Sequence, residues 1–160
     1  MMRRMVDSLL TFAAVFGVLA LAYLLLGRGA WYGPGVIALS VVPLIAARLG
    51  GLTVRRLIPD LIFGAIDSGL LVIAASLGAW RFGLAGAVVG GVVGDAVTDG
   101  IAGYFEGGIA QWLRRRGVEE SRTALGSANG KMAGCLLGAG AMLTLLQLGG
   151  VDFTRLATLR

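Results

Sequence analysis

The sequence is poor in the side chains that soluble enzymes use for much of their chemistry. It has no histidine and one cysteine, Cys135, among 160 residues. The lack of histidine excludes haem-ligating histidines, His-based zinc sites and Ser–His–Asp triads, and a single cysteine excludes a disulfide within the chain. Only 14% of the residues are charged, against about 25% in soluble domains. Because 57% are hydrophobic and the mean hydropathy is +0.85, we predict an all-α, polytopic membrane protein.

The apolar stretches predict about five transmembrane helices in one domain, residues 1–160, since a span needs about 20 apolar residues. The predicted spans are residues 8–26, 36–49, 61–79, 83–107 and 132–148, with a cytoplasmic segment at 114–131. Arg3 and Arg4 resemble the start of a signal peptide. The apolar run that follows them is too long for one, so we interpret it as a retained first span.

The distribution of basic residues predicts the orientation. With the N-terminus in the cytoplasm, ten basic residues lie inside: Arg3, Arg4, Arg48, Arg55, Arg56, Arg114, Arg115, Arg116, Arg122 and Lys131. Four lie outside, Arg28, Arg81, Arg155 and Arg160. This bias predicts five spans with a cytoplasmic N-terminus, in an inner or cytoplasmic membrane. Arginines that flank the spans account for the net charge of +5. Basic and aromatic residues do not alternate as they do in nucleic-acid sites, so we expect no nucleic acid partner.

Three carboxylates lie within the fourth predicted span. Asp95, Asp99 and Glu106 are four and seven residues apart, which places them within about 40° of one helix face. A charge at the membrane centre costs at least about 2.5–3.5 kcal/mol, so such residues usually face a cavity or a partner. An acidic stripe suits a metal cation or a proton.

The third predicted span carries two more carboxylates on one face. Asp60 lies at its cytoplasmic mouth, and Asp67 lies about 10 Å deeper. The link at Trp80–Phe82 is very short, so we predict that spans 3 and 4 form an antiparallel hairpin. The hairpin brings Asp67 to the depth of Asp99, and Asp60 near Glu106. Carboxylates at one depth cannot all stay ionised without a cation. Alternatively, Asp60 marks only the helix start, and Glu106 pairs with the arginines at 114–116.

Sulfur-containing residues follow in the fifth predicted span. Met132, Cys135 and Met142 fall within about 80° of one face. If this face meets the carboxylates, sulfur favours a transition metal over Mg²⁺, although packing is the commoner use of these side chains. Lys131 either flanks the span or is a counter-ion to the carboxylates. We expect no cofactor, and a divalent cation as substrate.

Glycines recur at spacings that let membrane helices approach closely. Such spacings link Gly86, Gly90 and Gly94, Gly103 and Gly107, and Gly134 and Gly138. Packing within the chain is one use, and a dimer interface is the other. Because five closely packed helices leave little room for a cavity within one chain, we expect a homo-oligomer.

Residues 60–108 resemble the first two helices of the vacuolar iron transporter family. The segments DLIFGAIDSGLL and GGVVGDAVTDGIAGYFEG carry the resemblance. It implies a five-helix dimer with a path for Fe²⁺ or Mn²⁺ coupled to protons. Asp67 would match the family's first intramembrane acid, and Asp95 the second.

A second resemblance is to the end of the CDP-alcohol phosphotransferase motif, in Gly91, Asp95 and Asp99. Ala74 and Leu77 occupy the positions of the motif's earlier aspartates. A membrane-embedded, metal-dependent transferase is therefore a minor alternative, and we expect no enzyme.

Two hypotheses follow. The first is a transporter or channel for a divalent cation (Fe, Mn or Mg), with proton coupling, in which Asp67, Asp95 and Asp99 bind the ion while Asp60 and Glu106 attract it. The second is a small accessory subunit of a larger membrane complex, whose acids pair with arginines of another membrane subunit.

Overall fold

The computed structural model of the protein describes residues 2–26, 32–115 and 123–152, without the side chains of 2, 3, 102 and 105–114. All regular elements in these ranges are α-helices: α1 Met2–Leu26, α2 Tyr32–Leu39, α3 Val41–Leu49, α4 Val54–Arg115 and α5 Ala124–Leu148. Four segments are long and apolar enough to cross a membrane, namely Arg4–Leu25, Tyr32–Leu49, Val54–Ile101 and Ala124–Leu148. The prediction of an all-α fold is therefore confirmed for the described residues, and these four segments fit a membrane protein by length and composition.

The longest helix, α4, is two helices joined at a sharp bend. Phe82 and Gly83 have non-helical backbone angles, and Gly83 has φ 63° and ψ −147°, a conformation that essentially only glycine adopts. Trp80 and Phe82 are exposed at the bend, and the guanidinium of Arg81 lies 5.4 Å from the centre of the Phe82 ring. Aromatic and basic side chains at a helix end are typical of a membrane interface.

The bend folds α4 back on itself. We call residues 54–81 the first arm and residues 84–115 the second arm. A Cβ added at Gly78 would strike the carbonyl of Gly86, and one added at Gly90 would lie 2.5 Å from the carbonyl oxygen of Ala74. A Cβ added at Gly94 would lie 2.7 Å from the Cβ of Ala74. The arms are thus antiparallel, in contact through small residues.

Helix α5 packs parallel to the first arm of α4. Gly130 lies against Leu57 and Asp60, Gly134 against Leu61, and Gly138 against Ala65. The residue number increases by four on both helices from one contact to the next. Glycines at every level let the two backbones touch, which is close packing within the chain.

Helices α2 and α3 together form one antiparallel neighbour of α5. Gly33 lies against Thr144, and Gly50 lies against Leu125 at the other end. The helix is interrupted at Ser40, whose hydroxyl donates to the carbonyl of Ile37 at 2.7 Å. The interruption has a local cause, because Pro43 lacks the N–H that would bond to Leu39.

The buried apolar core is small, and most of the large apolar side chains lie at the surface. The buried cluster consists of Ala47, Leu52, Leu57 and Leu125. Many large apolar side chains are exposed instead, among them Phe12, Phe16, Tyr23, Ile62, Ile66, Val88 and Val92. In water such a surface would aggregate, whereas lipid chains solvate it.

Several helix ends differ from the predicted spans. Helix α1 begins at Met2, not residue 8, and α2 begins at Tyr32, not residue 36. Helix α5 begins at Ala124, within the segment predicted as cytoplasmic, because the Thr123 hydroxyl caps it by accepting from the Gly126 N–H at 3.1 Å. Hydropathy marks the apolar part of a helix, and capping marks its end.

Candidate cation site

Asp67 is a buried acid with an unpaired oxygen. Asp67 is 7% exposed, and its Oδ1 has no hydrogen-bond partner in the part of the chain that the structure describes. Buried polar atoms are nearly always hydrogen-bonded, and each exception asks for an explanation such as an ion. Asp67 lies four and seven residues before Leu71 and Ala74, on the face of the first arm that meets the second arm.

The register of the arms places Asp67 opposite Thr98. Leu71 and Ala74 lie against Gly94, and one helical turn further from the bend these positions become Asp67 and Thr98. Thr98 is also only 7% exposed. Its hydroxyl donates to the carbonyl of Asp95 at 3.1 Å. The hydroxyl proton is thereby engaged, so Thr98 offers lone pairs, and the pair Asp67 and Thr98 is rich in acceptors.

Asp95 and Asp99 lie on the other side of the second arm. Both are exposed at the surface of the described chain, whereas Asp67 and Thr98 are buried between the arms. The described part of the chain therefore separates the acids into a buried position and an exposed face. Sequence periodicity predicts that Asp95 and Asp99 share one face. It does not predict that this face points away from the first arm, because that depends on how the two arms pack.

An ion pair crosses from α5 to the second arm. The Nζ of Lys131 lies 3.9 Å from the Oδ1 of Asp99, with the side chains 48% and 58% exposed. The same Nζ lies 5.5 Å from the centre of the Phe63 ring on the first arm. Lys131 thus holds the counter-ion position that was one of its two sequence interpretations.

The remaining predicted residues lie at several levels of α4 and α5. Asp60 is buried, 8% exposed, beside Gly130 of α5. Cys135 is half-buried, with its Sγ 3.1 Å from a Cβ added at Gly64. Met132 and Met142 are half-buried on α5. The side chain of Glu106 lies outside the described residues. Where side chains are described, no three acids or cysteines come together as a metal-binding group.

Sequence reasoning missed one buried polar residue. Asn129 on α5 is fully buried, and its Nδ2 donates to the Thr11 hydroxyl at 3.2 Å and to the Leu125 carbonyl at 3.0 Å. Its Oδ1 has no hydrogen-bond partner among the described residues. Asn129 is the sixth residue of α5 and lies in the stretch 114–131 that was predicted as cytoplasmic, so hydropathy gave no signal of its burial. The bond from Asn129 to Thr11 fixes α1 against α5.

We expect this bond to be measurable as a coupling between α1 and α5. Asn129→Ala and Thr11→Val each lower the free energy of unfolding in detergent, and the double variant loses less than the sum. The expected coupling is about 0.6 kcal/mol, the average for hydrogen bonds between membrane helices. Additive losses would show that the bond contributes nothing.

Comparisons with known proteins add no family assignment. No family model matches the chain, and no curated protein or solved structure matches it. The resemblance of residues 60–108 to vacuolar iron transporters therefore stays a prediction.

Proposed function

We propose that the protein is a membrane transporter for a divalent metal cation, with Asp67 as the central ion-binding carboxylate. The observation that carries the proposal is the Asp67 Oδ1, which is buried in a helix long and apolar enough to cross a membrane and has no hydrogen-bond partner among the described residues. Ionisable residues inside membrane spans are costly and mark ion pathways by default.

A buried carboxylate in this position needs a positive occupant. Burial in a low-dielectric medium disfavours the ionised form unless a cation is close. A metal ion bound to Asp67 supplies this charge in the proposed transporter. Proton coupling is a further part of the proposal, and the dependence of uptake on a pH gradient tests it.

The surrounding groups favour a hard or borderline divalent ion. Carboxylate and hydroxyl oxygens suit Mg²⁺, Mn²⁺ and Fe²⁺, and Asp67 and Thr98 supply this chemistry. Cys135, on the adjacent helix, would add a soft ligand for Mn²⁺ or Fe²⁺. Because no three such groups meet in the described residues, we propose successive weak sites and not one closed cage.

The proposed topology has five membrane crossings. The two arms of α4 count as separate crossings, with the N-terminus in the cytoplasm of an inner membrane. Helix α5 packs parallel to the first arm. This supports the topology, because α5 comes two crossings after the first arm and therefore crosses the membrane in the same direction. Asp60 and Glu106 attract the ion at the cytoplasmic mouth, and Asp95 and Asp99 extend the path. A homo-oligomer would cover their exposed face.

The test is uptake of Mn²⁺, Fe²⁺ and Mg²⁺ into proteoliposomes, with and without a pH gradient. We expect uptake above empty liposomes, and a reduction of about tenfold in Asp95→Asn at low ion concentration, the effect of one charge near the path at intermediate dielectric. Lack of uptake of any ion by well-folded protein would refute the transporter. Uptake insensitive to the pH gradient would refute proton exchange alone.

The exposure of Asp95 and Asp99 favours a second candidate, an accessory subunit. A membrane helix with basic residues from another protein would neutralise this face. Purified alone, such a subunit would be unstable and would transport nothing, and its Asp95→Asn variant would become more stable because an unpaired charge is removed from lipid.

A further inference from the structure

Lys131 joins the three helical segments that surround the proposed ion position. It lies on α5, and its Nζ contacts Asp99 of the second arm at 3.9 Å and the Phe63 ring of the first arm at 5.5 Å. Its carbonyl lies beside Gly64, one helical turn before Asp67. The chain has no other lysine, and arginine supplies all its remaining basic side chains.

We propose that the Lys131 ammonium is a tethered competitor of the transported cation, and that it sets the affinity of the Asp67 position. This inference rests on the proposed function. With the path empty, the ammonium neutralises Asp99. An incoming divalent ion displaces it, and Asp99 then becomes available to the ion.

The register of the arms places this competition at the right depth. Thr98 lies opposite Asp67, and Asp99 is the next residue. The ammonium bound to Asp99 therefore lies within one helical turn of the Asp67 level. While the ammonium is paired with Asp99, that carboxylate is not available to a divalent ion at this level of the arms.

The displaced ammonium has a second partner at hand. Phe63 presents its ring to the same Nζ, and a ring face attracts an ammonium by about 0.5–2 kcal/mol. The long lysine stem lets the charge move while the backbone stays in place. Lysine thus suits a counter-ion that moves, whereas the two-pronged contact of arginine suits one that stays.

The experiment measures equilibrium binding of Mn²⁺ to the purified full-length protein in lipid nanodiscs. The variants are Lys131→Gln, Lys131→Arg, Asp99→Asn, Lys131→Gln with Asp99→Asn, and Asp67→Asn. Arg48→Gln is the matched control, because it removes an exposed basic charge at the end of α3. Thermal unfolding of each variant checks that it folds.

We expect Lys131→Gln to lower the Kd for Mn²⁺ by about tenfold or more. Lys131→Arg should raise the Kd, because a guanidinium is harder to displace from Asp99, and Arg48→Gln should bind as the wild type does. In the Asp99→Asn background, Lys131→Gln should change the Kd by less than about threefold, because no pair is left to displace. A purely structural lysine would not produce this dependence on Asp99.

Two failures are distinguishable. If Mn²⁺ binds and Asp67→Asn abolishes binding, but Lys131→Gln leaves the Kd unchanged, the competitor role is refuted and the transporter stands. If Mn²⁺ binds to no variant, the proposed function fails, and the competitor role fails with it.

Discussion

The variant Asp67→Asn should abolish cation uptake while leaving the protein at least as stable as the wild type. The amide has the shape of the carboxylate but no charge, so it cannot bind a metal ion electrostatically. We expect uptake to fall at least about a hundredfold, as expected when a buried charge pairing is lost. The measurement is initial Mn²⁺ uptake into proteoliposomes.

The expected gain in stability has a structural reason. Asp67 Oδ1 has no hydrogen-bond partner among the described residues, and Thr98, at the same level of the second arm, has its hydroxyl proton engaged with the Asp95 carbonyl. We expect an asparagine at residue 67 to donate its N–H to the Thr98 hydroxyl oxygen. Such a hydrogen bond contributes about 0.5–1.5 kcal/mol.

The control is Asp7→Asn, the same chemical change on α1 and outside the hairpin. Asp7 lies in the second turn of α1, where its carbonyl accepts from Thr11 at 3.0 Å. Its variant should transport like the wild type. If Asp67→Asn lost stability together with uptake, Asp67 would be a packing residue, and if it retained uptake, the ion path would run elsewhere.

How much the sequence predicts differs between the fold and the site. Hydropathy sufficed for the class of fold, and a tight link near residue 82 sufficed for the hairpin. The kink itself lies at Phe82 and Gly83, where glycine permits a positive φ. Interruption of the second span at Ser40 was not predicted, although Pro43 contained the signal.

The site was harder to predict because burial depends on rotation of the helices about their axes. Periodicity places Asp95 and Asp99 on one face, but it does not state which neighbour that face meets. Packing of Gly86, Gly90 and Gly94 against the first arm turns Thr98 inward and the two acids outward. The position of Asp67 opposite Thr98 follows from this register, and depth counting from the sequence came within one residue of it.

Small-residue spacing left two uses open, and the structure separates them. A Cβ added at Gly134 or Gly138 meets the first arm of α4, whereas one added at Gly103 has nothing within 4 Å in the described chain. The former pack within the chain. The open side of Gly103 is compatible with the proposed oligomer, which remains a prediction.

The second large effect is expected from Gly138→Ala, which should destabilise the fold through a single methyl group. An added Cβ would strike the Ala65 carbonyl and lie 2.5 Å from the Ala65 Cα. These are backbone atoms, so no side-chain rotation relieves the clash, and α5 must move away from the first arm. Overpacking of this kind costs about 1–3 kcal/mol.

The loss in free energy of unfolding should exceed the cost of the clash at residue 138 alone, because neighbouring glycines make the same kind of contact with the first arm. Gly134 and Gly130 lie against the same arm, one and two turns before Gly138. Tilting α5 away at Gly138 weakens these neighbouring contacts too, since close approach provides the van der Waals packing between membrane helices. The measurement is the free energy of unfolding in mixed detergent micelles, together with the melting temperature.

Gly103→Ala is the matched control, because it adds the same methyl group to a helix with open space around it. Alanine favours a helix over glycine by about 0.5–1 kcal/mol, so this variant should be as stable as the wild type or more so. The contrast between the two variants isolates the clash from helix propensity. If Gly138→Ala were as stable as Gly103→Ala, α5 would not pack on the first arm through its glycines, and Lys131 would lose the geometry that brings it to Asp99.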